Sequence, residues 1–218
     1  MNKPYKIICD ANTPRDKWLQ LRQDFVGASE TSLTASTHRK KLGVAKPFPE
    51  NDTLWLGNAL EPVIVRMINE RKGFRCKSSQ TMLQSTITPS MSCTLDGVGR
   101  VPTSDKNIDK FMYFLEQQGW GSQEIHHALD DSRLAVVELK TAAFKKLHEW
   151  TDSEPPQAYW AQVQHQLYVT GFPIGWLFGL VGGRHLHVFR IERDEEFMER
   201  RAEACENFME GVRNGRVL

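Results

Sequence analysis

Glu138 and Lys140 lie two residues apart in Val136-Val137-Glu138-Leu139-Lys140, a stretch with the character of a buried strand. Side chains alternate along a strand, so the carboxylate and the amine share one face and Val137 and Leu139 the other. Burying such groups without partners is costly. A metal-dependent phosphodiesterase has a use for both. The acid holds a cation, and the lysine orients the attacking water or steadies the charge developing on phosphorus. Glu-x-Lys is a common tripeptide, however, and taken alone it reads as a salt bridge at a strand end.

Other residues extend the chemistry. Asp96 ends the strand-like run Ser92-Cys93-Thr94-Leu95-Asp96-Gly97. Asp-Gly is first a turn signal, but a carboxylate there, near the strand of Glu138, suits a two-carboxylate metal site. Mg²⁺ is satisfied by one or two carboxylates with waters and substrate oxygens. Glu61, in Gly57-Asn58-Ala59-Leu60-Glu61-Pro62, sits at the edge of an apolar helix face. It can turn toward a metal site or serve as a first-turn acid favoured by the helix dipole. Gln162 and Gln166 share a helix face at i and i+4. They are able to bond phosphate or metal-bound water, or to form a polar surface. Arg22 with Ser29, in Gly27-Ala28-Ser29-Glu30-Thr31, is a candidate phosphate pocket, with Ser29 read as the cap of a helix start that attracts an anion. A surface arginine and a plain cap fit the same residues. His185 and His187 share a strand face without a third zinc ligand, and the adjacent His126 and His127 diverge.

These residues need elements to hold them. Apolar spacing predicts helices over 14–25 and 53–72, the second with Leu60, Val63, Ile64, Met67 and Ile68 on its inner face. His38-Arg39-Lys40-Lys41, with Lys46, Pro47 and Pro49, reads as an exposed basic loop. Met82–Val101 has strand character broken by Pro89 and Gly97. Phe111–Gln118 reads as helical, with loops or a hairpin through Gly119, Gly121 and Asp130-Asp131. A short helix follows at 144–150. Pro155-Pro156 and Gly171 bracket a helix over 157–170 with Trp160, Val163 and Leu167 inward. Residues 174–181 and 185–191 form a hairpin across Gly182-Gly183-Arg184. Asp194 caps a last helix whose inner side carries Phe197, Ala204, Cys205, Phe208 and Val212. The order predicts a single mixed α/β domain over 1–218, a central mixed sheet flanked by helices.

The chain's 218 residues suffice for one sizeable core, and 40% hydrophobic and 25% charged residues are ordinary for a soluble domain. No apolar run reaches bilayer length, and the N-terminus leads into no secretory h-region. Cys9, Cys76, Cys93 and Cys205 are scattered, which argues against zinc ribbons, iron–sulfur clamps and disulfides and points to a reducing cytoplasm. A net charge of +1 weakens a nucleic-acid partner without removing it, since a basic channel can be balanced elsewhere.

Taken in order, Trp18-x-x-x-Arg22, Gly27-Ala28-Ser29, Gly57-x-x-x-Glu61, Asp96-Gly97, Glu138-x-Lys140 and Ala161-Gln162-Val163-Gln164 resemble the phage-type alkaline exonucleases. These are the YqaJ and lambda exonuclease group of the PD-(D/E)XK nuclease superfamily. The resemblance runs from about residue 15 to residue 181. It implies a restriction-endonuclease-like core and 5′→3′ digestion of linear double-stranded DNA to 5′-mononucleotides; an endonuclease of restriction or repair type on the same fold, or a DNA-binding relative without the chemistry, are the alternative readings. The 3′ overhang would be left for a single-strand annealing protein. It also implies a ring-shaped homotrimer, phage or prophage origin in a bacterial cytoplasm, and two Mg²⁺ ions, with Mn²⁺ as a substitute. By resemblance, Asp96, Glu138 and the Leu139 carbonyl bind metal, and Glu61 holds a metal-bound water. Lys140 positions and activates the attacking water, Gln162 supports the site, and Arg22, Ser29 and Thr94 hold the 5′-terminal phosphate. The family pattern at the aspartate often reads Ser-Pro-Asp-Gly, where this chain has Thr94-Leu95-Asp96-Gly97. A short hairpin is expected between Asp96 and Glu138, so residues 102–133 read as an insertion outside the active site.

Overall fold

Seven segments of the chain pair into one mixed sheet in a computed structural model, which describes residues 3–45, 51–150 and 153–215. The strands are β1 (Tyr5–Cys9), β2 (Val26–Gly27), β3 (Arg75–Ser85), β4 (Met91–Arg100), β5 (Ala135–Ala142), β6 (Ile174–Val181) and β7 (His185–Glu192). Their order is β1-β3-β4-β5-β6-β7, and β2 pairs with β4 in parallel. The helices are α1 (Arg15–Leu21), α2 (Ala35–Lys41), α3 (Asp52–Lys72), α4 (Asp105–Gln117), α5 (Ser122–Asp130), α6 (Gln157–Thr170) and α7 (Glu195–Arg213), with 3₁₀ turns at Arg22–Asp24 and Phe144–Trp150. Among the described residues no helix is long and apolar enough to cross a membrane.

The sheet is covered on both faces. One face carries α6 and α7, with Val163, Leu167, Cys205 and Phe208 against Val136, Leu177 and Phe189. The other carries α3, α4 and α5, with Ile64, Ile68, Phe111, Leu115 and Ile125 against Val137, Leu139, Trp176 and Phe178. Each large side chain so buried stabilises the fold by about 1.5–3 kcal/mol relative to exposure. Sheet β5–β6 is parallel, so its strands need a crossover, and α6 supplies it. Gly171 closes α6 at φ +69°, a left-handed cap that glycine adopts freely. At Gly179 of β6 a Cβ would lie 2.0 Å from the Trp150 ring, so the indole packs directly on backbone.

Several elements differ from the sequence expectation. Residues 102–133 hold two helices: α4 covers the helix expected at 111–118 and starts earlier, at Asp105, while α5 stands where loops or a hairpin were expected. Phe111, Phe114 and Leu115, then Ile125 and Ala128, are buried in the core, and Gly119 at φ +86° turns the chain between them. The segment His38-Arg39-Lys40-Lys41 lies on α2, capped by Thr34, with His38 and Lys41 buried. Lys46, Pro47 and Pro49 lie outside the described residues. On α3, Ile64 and Ile68 face inward, while Val63 is exposed. On α7 the inner side includes Ala202, and Ala204 is exposed. Gly97 does not break its strand: it pairs with Ser78 and Val137 inside the sheet.

His165 lies on the buried side of α6, with Nε2 3.0 Å from the Ser92 carbonyl and Nδ1 buried without a partner. Burial, with Arg201 next, pushes its pKa down from 6.5 to about 3. The folded imidazole is therefore neutral, while the unfolded chain takes up a proton below its ordinary value. This contribution to stability is fully present above pH 6.5 and is lost as pH falls toward 3, at roughly 1.4 kcal/mol per pH unit. His165→Gln is expected to flatten the decline of the thermal midpoint between pH 7 and pH 5. A wild-type slope in the variant would contradict this.

Candidate active site

The polar pair on β5 faces α6, on the Val136 side of the sheet, and Glu138 is only 1% exposed. The sequence carries donors for it one layer away. Gln162 and Gln166, one helical turn apart, each place Nε2 2.6 Å from the carboxylate, on Oε1 and Oε2 respectively. Lys140 donates a hydrogen bond to Oε1. The glutamines expected to meet phosphate or water are thus buried clamps on Glu138. Gln164 points elsewhere and ties the Glu192 carbonyl and the Asp194 amide.

Asp96 enters from β4. The β4–β5 ladder stops at the Gly97–Val137 pair, and beyond it the Leu139 N–H has no backbone partner on β4. Asp96 Oδ2 accepts that N–H at 2.9 Å. Within a strand, a residue's N–H and C=O point to the same side, so the Leu139 carbonyl faces this same gap between β4 and β5. The Asp-Gly pair is therefore a mid-strand feature, not a turn. Glu61 reaches the site from α3, one residue before Pro62, and accepts Gln80 Nε2 at 2.8 Å. Gln80 sits at a bulge in β3 and is the one non-glycine among the described residues with positive φ, at 48°. Strained backbone of this kind aims a side chain that a regular strand would direct elsewhere.

The electrostatics follow from three acids around one ammonium. Burial, then Glu138, raises the Asp96 carboxyl well above its usual range. Burial also raises Glu61, against the pull of Lys140. For Lys140, burial disfavours the charge but Glu138 and Asp96 outweigh it, so its pKa is raised; its ammonium also lies 5.4 Å from the Tyr159 ring centroid. The site is short of positive charge. Among the described residues no group of three or more His, Cys, Asp or Glu side chains forms a ready metal cage. The available donor set is two carboxylates and a carbonyl, which leaves coordination positions for water and substrate. That set of oxygens fits a hard divalent cation, whose charge would relieve the Asp96–Glu138 repulsion.

The same cleft, of about 660 Å³, is lined by Asp96, Glu138, Leu139, Lys140, Glu61 and Gln162 and also by Arg22, Ser29 and Thr94. Arg22 Nη2 lies 3.1 Å from Ser29 Oγ, and its guanidinium stacks 4.7 Å from the Trp18 ring centroid. Ser29 caps no helix. It stands on a turn closed by the Glu30 N–H on the Gly27 carbonyl, and the next helix begins at Ala35. Pairing of Gly27 with Ser92 sets this turn beside Thr94. Sequence reasoning missed Gln80, Tyr159 and the clamping role of Gln166. Only the last had a visible signal, its spacing from Gln162. No residue of 102–133 lines the cleft.

A family model described as the YqaJ-like viral recombinase domain matches residues 17–173. Uncharacterized protein YqaJ of Bacillus subtilis (strain 168) is 24% identical over 197 residues, covering 85% of this chain and 52% of that protein. The chain thus spans about half the length of this curated relative. In fold, it is similar to the alkaline exonuclease LHK-Exo from Laribacter hongkongensis, with a TM-score of 0.63 and 15% identity over 92% of this chain and 94% of that one. A structure of LHK-Exo in complex with dAMP matches with a TM-score of 0.63 and 14% identity over the same shares. At these identities the likeness is one of fold.

Proposed function

The chain belongs to the YqaJ-like viral recombinase domain family, and from that premise we propose that it is a metal-dependent nuclease digesting linear double-stranded DNA 5′→3′ to 5′-mononucleotides. The observation that carries this reading is one cleft in which an acid pair with its lysine and an Arg22–Ser29 pocket open together. The first suits phosphodiester hydrolysis, and the second suits a terminal phosphate, hence an end. The fold shared with an alkaline exonuclease, also seen with dAMP, supports it.

In this scheme Asp96, Glu138 and the Leu139 carbonyl would hold Mg²⁺, or Mn²⁺ in its place, and Glu61 would hold a water toward a second ion. Such an ion lowers the pKa of its water and neutralises charge developing on phosphorus. Gln162 and Gln166 fix the Glu138 carboxylate so that it needs no reorganisation. Lys140, kept charged by Glu138 and Asp96, acts as a donor to the attacking water and not as its base. Arg22, Ser29 and Thr94 bind the 5′-phosphate, with the bidentate capacity of the guanidinium setting its orientation.

A ring-shaped homotrimer belongs to the same proposal. Enclosing the duplex would give processivity to a chain of net charge +1, where electrostatic grip is small. So do a single-strand annealing partner that takes the 3′ overhang and a phage or prophage origin in a bacterial cytoplasm. The test compares linear duplexes carrying 5′-phosphoryl or 5′-hydroxyl ends with closed circles. Linear duplex is expected to be digested and closed circles spared. Arg22→Ala is expected to slow phosphoryl ends by roughly tenfold more than hydroxyl ends, the scale of one lost charge-assisted contact. Equal cutting of circles, or equal losses on both ends, contradicts the reading.

A further inference from the structure

We propose that Lys41 and Glu30 are positioning residues for the subsite that takes the 5′-terminal phosphate, an inference that rests on the exonuclease reading above. Neither residue lines the cleft. Their side chains are 2% and 13% exposed and their charged ends lie 2.7 Å apart. A buried pair of this kind costs desolvation, so the fold must place both its ends on good partners. The ends terminate on the backbone that carries the phosphate groups. Lys41 Nζ donates to the Arg22 carbonyl at 2.8 Å. Glu30 Oε2 accepts the Gly27 N–H at 2.8 Å, which closes the turn bearing Ser29. One ion pair therefore ties the segment of Arg22 to the segment of Ser29.

A second tie holds the turn from behind. Arg201, on α7, donates to the backbone carbonyls of Glu30 and Thr31 at 2.5 and 3.2 Å. The tolerance in front is small, since a Cβ on Gly27 would lie 3.4 Å from Arg22 Nη2. Charge fits the same role. Lys41 takes the Glu30 carboxylate as its ion-pair partner, and among the described residues no ion pair joins Glu30 to Arg22, which leaves the guanidinium for a phosphate. A shift of about 1 Å in either segment separates groups that must meet one phosphate together.

The test measures kcat/KM on 5′-phosphoryl and 5′-hydroxyl duplexes for the full chain and three variants, with thermal midpoints as a check on folding. Lys41→Met and Glu30→Ala are each expected to lower the phosphoryl-to-hydroxyl ratio by roughly tenfold, through KM. Glu30→Ala decides between mechanisms, because it removes a negative charge from beside the phosphate. If charge alone mattered, the ratio would rise; if the pair positions the turn, the ratio falls. Should Lys41→Met not fold, Glu30→Ala carries the test. Arg22→Ala is the control. An unchanged ratio in Arg22→Ala overturns the phosphate pocket itself. A collapsed ratio there, with a maintained or raised ratio in Glu30→Ala, overturns only the positioning pair.

Discussion

Replacing Lys140 by Ala is expected to reduce digestion of linear duplex by at least about 10³-fold while leaving binding of the DNA end within a few-fold, as when a donor aimed at transition-state charge is removed. The ammonium touches Glu138 and lies over Tyr159, with its charge favoured by Glu138 and Asp96. In the proposed scheme it belongs to the chemical step, whereas end binding is assigned to Arg22, Ser29 and Thr94. The loss should therefore fall in kcat with little change in KM. Lys140→Arg should not rescue, because a planar guanidinium cannot replace a compact ammonium between a clamped carboxylate and an aromatic ring. A Lys140→Ala protein that digests duplex at the wild-type rate would remove the proposed role. So would one whose defect lies wholly in end binding.

Asp96→Asn is expected to give a protein that is more stable without metal and inactive with it. The amide keeps an oxygen for the Leu139 N–H and drops the charge that burial and Glu138 disfavour. The sign follows from linkage. The folded carboxyl titrates above its ordinary value, so the native state loses stability as pH rises from that value through the folded pKa, and at pH 7 the asparagine is spared this cost. Mg²⁺ at about 100 times its Kd should stabilise the wild type by roughly 2.7 kcal/mol. The variant should show no such shift. Thermal unfolding with and without Mg²⁺ checks both halves. A metal-induced shift retained in Asp96→Asn would show that the cation is held elsewhere.

The parts of the fold readable in the sequence were those with local punctuation. Pro155-Pro156 and Gly171 bracket α6, and Asp194 caps α7 through the Phe197 N–H. The face assignment of Glu138 and Lys140 needed only the two-residue period of a strand. What failed was local signal overridden by tertiary partners. A run of four basic residues reads as solvated, yet Lys41 is buried because Glu30, eleven positions earlier, comes back to meet it. Gly119 and Gly121 suggested loops or a hairpin running on to Asp130-Asp131, yet they form only the short link before α5, whose Ile125 and Ala128 are buried in the core. Ser29 in a small-residue run reads as a cap, but β2 pairs with β4 and makes the run a turn. Gln80 had no signal at all, because its direction comes from a bulge and a positive φ.

The central claim is that Glu138-Leu139-Lys140 and Asp96 form a cation-dependent site that consumes one strand from its 5′ end. Linear duplex carrying distinct labels on its 5′ and 3′ ends, followed over time with and without Mg²⁺, tests it most directly. The expected result is early release of the 5′ label as a mononucleotide, a 3′ label retained on a lengthening overhang, and no digestion when Mg²⁺ is chelated. Early release of the 3′ label, internal cutting of both strands, or unimpaired digestion in chelator would contradict the account.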